Sequence, residues 1–329
     1  MDLIPKMDNQ SLPYEDSDLE HHSITLSVIY SIICVAGLLG NMLVIVVFAF
    51  YEKKKTLTYA FFLNLAVADI LFLCTLPFLA YQLLYKWIFG DIMCKIVFGM
   101  YRVNLYTSML TLTAISFDRF VSIVKVVKVQ KYQQHKHRWG GIMCVLIWMT
   151  ALLLAVPQFK FSVNETDLCM ESFELSLKKI IYSVQLVVGF FLPLSAIVFC
   201  YSFILNTLIR SRSLQKKKSI RIILTLVVVF IVTQLPFNVI LLIFLNQDTE
   251  ISDVLIDSLS ILEAVAYLHA CLNPFLYFFV GSKFRNSFWK MMREFRMGKG
   301  WNEPSRETEG SSKAFSASTK MEDFSIVQT

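Results

Sequence analysis

Seven apolar runs divide the chain, at roughly 24–51, 58–85, 92–124, 140–160, 180–210, 219–246 and 255–280. A helix needs about 20 residues at 1.5 Å each to cross a hydrocarbon layer of about 30 Å, and every run reaches that length. The third run carries a cysteine, Cys94, at one end and Asp118-Arg119-Phe120 at the other. Ionised groups cost about 2.5–3.5 kcal/mol each at the centre of a spanning helix. Asp118 and Arg119 therefore belong at a boundary, facing protein or water, and the run reads as the central column of a bundle. Five prolines, at 77, 157, 193, 236 and 274, fall inside runs. Such kinks are tolerated in membranes because neighbouring helices and water satisfy the freed backbone groups. Residues 282–296 alternate basic and apolar residues at helical spacing, with Phe284, Phe288, Trp289, Met292 and Phe295 on one broad face. This pattern predicts a helix lying on the membrane surface. The whole predicts an all-α integral membrane protein, a seven-transmembrane helix bundle with a short amphipathic eighth helix.

The segments between the runs set the orientation. Lys53-Lys54-Lys55 follow the first run, Lys125, Lys128, Lys131, Lys136 and Arg138 the third, and Arg210, Arg212, Lys216, Lys217, Lys218 and Arg221 lie between the fifth and sixth. Basic loops stay in the cytoplasm. The alternate segments hold Asp248, Glu250, Asp253 and Asp257 and the acceptor sequon Asn164-Glu165-Thr166, while the tail before the first run is acidic and carries a sequon at Asn9. Both sequons thus fall on the expected outer side, where glycosylation occurs. The expected layout is an extracellular acidic tail over 1–23, the seven-span domain over 24–280, the surface helix over 281–296 and a disordered cytoplasmic tail over 297–329. The expected location is the plasma membrane, multi-pass, with an extracellular N-terminus.

Composition agrees with this. The chain is 56% hydrophobic and 17% charged, against about 45–50% apolar in soluble domains. Of the seven cysteines, Cys94 and Cys169 lie at run edges, where an oxidising exterior is able to join them; no Cys/His spacing suggests a metal site. The chain lacks HExxH and GxSxG, which argues against an enzyme, and residues 255–280 contain no lysine for a retinal Schiff base. Inside the runs the polar residues are few: Asn41, Asp69, Asn104, Ser108, Glu263, His269 and Asn273. An intramembrane carboxylate such as Asp69 is a functional candidate by default.

In order along the runs stand Gly40-Asn41, Leu65-Ala66-Val67-Ala68-Asp69, Asp118-Arg119-Phe120, Trp148, Pro193 with Tyr201, Pro236, and Asn273-Pro274-Phe275-Leu276-Tyr277. Together they resemble the rhodopsin-type G-protein-coupled receptors over residues 24–296. Thr75-Leu76-Pro77, Trp87-Ile88-Phe89-Gly90, Glu263, His269 and an acidic tail with Tyr14 beside carboxylates resemble the chemokine receptors. Asp118-Arg119-Phe120, Thr233-Gln234-Leu235-Pro236-Phe237-Asn238 and Phe315-Ser316-Ala317-Ser318 resemble the C-X-C branch of that family.

The resemblance implies a cell-surface receptor for a basic C-X-C chemokine, coupled to a Gi-class heterotrimeric G protein and supporting chemotaxis. Arrestin and receptor kinases would act at the C-terminal tail, and membrane lipids would surround the bundle; no nucleic acid is expected. The alternative in the same fold is a scavenger that internalises ligand without G-protein coupling. The implied ligand contacts are Glu263, Tyr101 and Trp87, with Tyr14, Asp16 and Asp18 in the tail. Glu263 is either a buried anion for a basic ligand group or the partner of Arg102, which lies at similar depth. The implied disulfide joins Cys94 and Cys169. The implied switch comprises Asp69, Asn41, Ser108, Asp118, Arg119, Gln234, Pro236, Asn273, Pro274 and Tyr277. No cofactor or metal is expected; the family's sodium ion beside Asp69 is left open because His269 stands where relatives have Asn. Three departures matter: Phe120 replaces the usual Tyr, Thr233-Gln234 replaces Cys-Trp before Pro236, and no cysteine in 1–33 or 246–257 allows a second outer disulfide.

Overall fold

The computed structural model describes residues 13–51, 57–124, 129–210, 214–246 and 253–296. The sequon at Asn9 and the tail beyond Arg296 lie outside them, as do the side chains of Tyr14, Asp16 and Asp18.

The bundle is built from α1 (Pro13–Val46), α2 (Leu57–Leu73), α3 (Leu76–Leu84), α4 (Gly90–Ile123), α5 (Val129–Phe161), α6 (Leu175–Leu186), α7 (Leu192–Arg210), α8 (Leu214–Asn246) and α9 (Asp253–Val280), followed by α10 (Ser282–Arg296). Helix α1 begins at Pro13, inside the segment expected to be tail. Between α5 and α6 lies an antiparallel hairpin of β1 (Ser162–Glu165) and β2 (Leu168–Glu171), with Ser162 opposite Glu171.

Two expected single spans are each built from two helices, and proline is the cause. Pro77 has no N–H to give the Leu73 carbonyl. Thr75 turns back instead, its N–H and hydroxyl both donating to Phe72 O at 2.8 and 2.6 Å. The freed Leu73 carbonyl accepts from the Cys34 thiol at 3.3 Å, so the carbonyl that Pro77 leaves free still has a donor. Ahead of Pro193 the backbone widens into a π-helical turn, Val187–Phe191, which joins α6 to α7. Gly189 in this turn lies so close to Tyr106 that a Cβ would meet its ring at 2.8 Å.

Six helical stretches among the described residues are long and apolar enough to cross a membrane: Glu20–Tyr51, Leu57–Leu84, Trp139–Phe161, Leu175–Thr207, Arg221–Phe244 and Asp257–Val280. Helix α4 is not among them, although it is 34 residues long. Its composition is diluted by Arg102, Asn104, Thr107, Ser108 and Thr111, all buried. A helix surrounded by protein need not be apolar, because polar side chains bond across helices. The central column of the seven-span bundle is therefore its least lipid-adapted helix. Gly99 lets α5 approach it, since a Cβ there would overlap the Phe159 ring.

The start of α10 is seated by Phe284, which is buried against Phe48 and Tyr277 with ring centroids 5.4 and 6.3 Å away. Residues beyond Phe288 form a second unit, whose described part exposes Trp289, Met292 and Phe295.

Candidate functional site

The hairpin is fastened over one end of the bundle. Cys94 at the start of α4 is disulfide-bonded to Cys169 in β2, with Cα atoms 5.5 Å apart. The Gln82 amide clamps the same residue from α3: Nε2 donates to Cys169 O at 3.1 Å and Oε1 accepts from Cys169 N at 3.0 Å. Trp87 N donates to Asp167 O at 2.7 Å, and the Asp91 carboxylate accepts from Asn164 N at 2.8 Å. Thr166 and Asp167 take left-handed φ of 50° and 63° to turn the hairpin. Trp87, expected at the ligand, is 1% exposed, and its indole donates to Gly90 O at 3.0 Å. In this arrangement it shapes the loop. Asn164, the sequon residue, is half-buried in β1.

Beneath the hairpin lies a cavity open to solvent. Tyr101, Arg102, Glu171, Lys178, Tyr182 and Glu263 supply its polar lining, and Phe237, Leu241 and Phe244 an apolar wall. Glu263 accepts from Tyr267 Oη at 2.8 Å. The Tyr267 ring is held by Tyr30, Phe72 and Tyr101 at 5.4, 5.1 and 5.0 Å. Arg102 does not take Glu263. Its Nη2 lies 3.5 Å from Glu171 Oε1, its Nη1 donates to Gln185 Oε1, and its guanidinium lies 4.8 Å from the Tyr182 ring centroid. The sequence offered one carboxylate for Arg102; the fold supplies another, from the hairpin. Among the described residues, no ion pair is made by Glu263.

Glu171 is 1% exposed, and Tyr182 Oη donates to its other oxygen. Burial pushes its carboxyl up, but positive charge, the Arg102 guanidinium foremost, together with the Tyr182 hydroxyl outweighs it and holds it below the ordinary range. A depressed carboxyl stabilises the fold above its unfolded pKa and loses that contribution as pH falls through the folded value. The Glu171 contacts therefore hold at neutral pH and fail only in acid.

From Arg102 a chain of polar side chains runs inward. Gln185 Nε2 donates to Asn238 Oδ1 at 3.4 Å, and Asn238 Nδ2 donates to Gln234 O at 2.7 Å. Gln234 Nε2 donates to Ala266 O at 2.9 Å and lies 3.2 Å from His269 Nδ1. His269 Nε2 lies 3.0 Å from Asn104 Oδ1, and Asn104 Nδ2 donates to Asp69 Oδ1 at 2.9 Å. Asn273 Nδ2 donates to Asp69 Oδ2 at 2.8 Å. Of the polar residues inside the runs, Asp69, Asn104, His269 and Asn273 are thus joined, and Gln234, 0% exposed, adjoins them at His269. Asn41 pins α1 to α9 through Nδ2, which donates to Gly37 O and Ala270 O.

A sodium ion at Asp69 would have to share its oxygens with the amides already bonded to them. Hard cations gather several oxygens. Here both Asp69 oxygens accept amide N–H groups and Asn104 Oδ1 faces His269. Among the described residues, the buried oxygens of the predicted set without a hydrogen bond include Asn41 Oδ1, Ser108 Oγ, Gln234 Oε1 and Tyr277 Oη.

At the far end of α4, Arg119 is engaged. Its Nη2 lies 3.9 Å from Asp118 Oδ2 and donates to the Thr58 hydroxyl of α2. The Thr58 hydroxyl is itself 3.5 Å from Asp118 Oδ2. Phe120 packs its ring against Phe203 and Phe199 of α7, with centroids 5.9 and 6.3 Å away. Tyr277 is buried among Phe48 and Phe62 without a hydrogen bond to its hydroxyl among the described residues. Trp148 Nε1 donates to Asn64 Oδ1 at 2.7 Å, and Asn64 Nδ2 to Thr111 Oγ1 at 2.8 Å, which ties α5, α2 and α4.

Sequence reasoning gave no site role to Gln82, Asn64, Gln185, Asn238 and Glu171. The first four are amides within apolar runs, the same signal that picked out Asn41 and Asn104. Glu171 carries no such signal, because it lies in a polar loop that the disulfide and the Gln82 clamp bring to Arg102.

Residues 40–277 match the model of the 7 transmembrane receptor (rhodopsin family). Similar proteins include human C-C chemokine receptor type 6, 36% identical over 283 residues that cover 81% of this chain and 76% of the relative. Human C-C chemokine receptor type 7 is 38% identical over 288 residues, 82% of this chain and 75% of the relative. The mouse type 6 receptor is 36% identical over 287 residues, 82% and 78% of the two chains. The chain belongs to the rhodopsin family of seven-transmembrane receptors and, within it, to the chemokine receptors. It is not a member of an enzyme family.

Proposed function

We propose that this receptor sits in the plasma membrane with the hairpin end outside, binds a basic C-X-C chemokine and activates a Gi-class G protein. The observation that carries the reading is the cavity beneath the hairpin, where Glu263 presents a carboxylate that makes no ion pair among the described residues. A carboxylate lining a cleft suits a cationic group brought by the ligand. The C-X-C class rests on the resemblance of the Asp118-Arg119-Phe120, Thr233–Asn238 and Phe315–Ser318 stretches; the relatives above bear C-C names. Orientation rests on the basic loops. Asp16 and Asp18, beside Tyr14, would add charge attraction at the outer face, and arrestin and receptor kinases would read the serine-rich tail. The receptor would work without a sodium ion at Asp69.

The test is a binding screen of purified C-C and C-X-C chemokines on cells bearing the chain, with Glu263→Gln as control. One C-X-C ligand should bind, and the variant should weaken it. Binding by C-C chemokines alone would overturn the ligand class, and binding unchanged in Glu263→Gln would overturn the role of the carboxylate. The scavenging alternative draws on Phe120, whose ring is committed to α7. It would show as internalisation with no nucleotide exchange on Gi.

A further inference from the structure

The cavity beneath the hairpin is lined by two cations, Arg102 and Lys178, and two anions, Glu171 and Glu263. One of the anions comes from the hairpin and not from a bundle helix. Glu171 is the last residue of β2 and is followed by Ser172–Glu174, which have no regular structure. Its seat on Arg102 is imperfect. The two groups are 3.5 Å apart, whereas charge-assisted N–H···O bonds measure about 2.7–2.9 Å. Glu171 Oε1 has no hydrogen bond among the described residues. Arg102 Nε is also without a hydrogen-bond partner there, although the side chain is 4% exposed. A buried guanidinium with a spare donor is under-satisfied, and an arginine fork is shaped for two parallel bonds to one carboxylate.

We propose that Arg102 is an anion-binding subsite of the cavity, closed in this conformation by Glu171 acting as a tethered stand-in for a ligand carboxylate. The ligand class is a zwitterionic chain end, with an ammonium for Glu263 and a carboxylate for Arg102. On entry, the ligand carboxylate takes the fork and Glu171 withdraws on its loop, keeping the Tyr182 hydroxyl and Lys178 as neighbours. The Arg102 fork is also where the inward polar chain begins, through Gln185. Exchange of its partner is thus felt first by α6 and α8. The inference rests on the reading of this cavity as the ligand site, and not on the identity of the ligand.

The test uses the whole receptor in lipid nanodiscs and two tripeptides with a free amino terminus, identical except for Glu or Gln at the second position. Saturation-transfer NMR reads their binding at millimolar concentration. Wild type should prefer the Glu peptide. Glu171→Gln keeps the size and the Tyr182 contact but removes the competing charge. It should bind the Glu peptide about tenfold tighter, a change of about 1.4 kcal/mol, and leave the Gln peptide unchanged. Adding Arg102→Gln should abolish the preference. If Glu171→Gln fails to reach the surface, Glu171→Asp retracts the carboxylate by one methylene and is read the same way. Equal gains for both peptides, no gain for the Glu peptide, no binding of either to the variant, or a preference that survives Arg102→Gln would each overturn the proposal. Failure here leaves chemokine binding standing, and failure of the chemokine screen leaves the peptide result standing.

Discussion

Replacing Gln234 with Leu tests how the two ends of the bundle communicate. Gln234 Nε2 donates to Ala266 O and faces His269 Nδ1, while its Oε1, fully enclosed, has no hydrogen bond among the described residues. Losing an ordinary hydrogen bond costs about 0.5–1.5 kcal/mol, and removing a buried unpaired oxygen returns about 1–3 kcal/mol. Ala266 O is not orphaned, because it lies inside α9, where the N–H four residues on serves it. The balance favours the present packing, in which Arg119 is held at Asp118 and Thr58, by about 1 kcal/mol. A shift of about 1 kcal/mol is about fivefold in an equilibrium constant. Basal nucleotide exchange on the G protein, normalised to surface receptor, should therefore fall severalfold in Gln234→Leu. Ligand affinity at the outer face should stay within a few-fold. Basal and stimulated activities equal to wild type would make Gln234 an inert helix contact. A rise in basal activity would refute the claim that its unpaired oxygen burdens the closed packing.

Cys169→Ser should abolish ligand binding and lower surface expression, because the bond closes a separation of 75 residues, worth about 4–5 kcal/mol in the chain-entropy model; normal surface binding by the variant would contradict this. Truncation after Lys299 removes nine Ser/Thr residues between Ser305 and Thr329, each able to gain about −1.5 to −2 charge on phosphorylation. It should leave G-protein signalling intact and slow internalisation, and unchanged internalisation would rule the tail out as the off-switch. Association with a basic chemokine should slow as salt rises, since exposed charges are screened over about 8 Å at physiological ionic strength; a rate independent of salt would exclude charge steering by the acidic outer face. Exchanging sodium for choline should leave ligand affinity unchanged, because the Asp69 oxygens are already bonded to Asn104 and Asn273; a sodium-dependent affinity would show that the cluster opens to the ion.

The spans were legible because lipid imposes one rule, the burial of every backbone polar group within a helix, and apolar length follows from it. Helix α4 shows the limit of that rule. Its buried Arg102, Asn104 and Thr107 are polar because protein, not lipid, surrounds them, so its place in the centre came from its end markers rather than from its hydropathy. The breaks at Thr75 and before Pro193 were foreshadowed by the prolines, but their form was not. The Leu73 carbonyl is satisfied by Cys34, which is 39 positions away in the chain. The inner half of the site was visible as isolated polar letters in apolar runs. What stayed hidden was who meets whom: Arg102 was weighed against Glu263 at matching depth, whereas the hairpin folds Glu171 into that place. Trp87 likewise reads as a ligand-facing aromatic in sequence and is enclosed by its own loop in the fold.

The most direct test of the central claim is nucleotide exchange on purified Gi in nanodiscs holding this chain, with each C-X-C and C-C chemokine added in turn. The account predicts that a basic C-X-C chemokine accelerates exchange and that Glu263→Gln removes the acceleration while the receptor remains at the surface. Tight chemokine binding with no acceleration of exchange, in receptor whose Asp118 and Arg119 are intact, would contradict it.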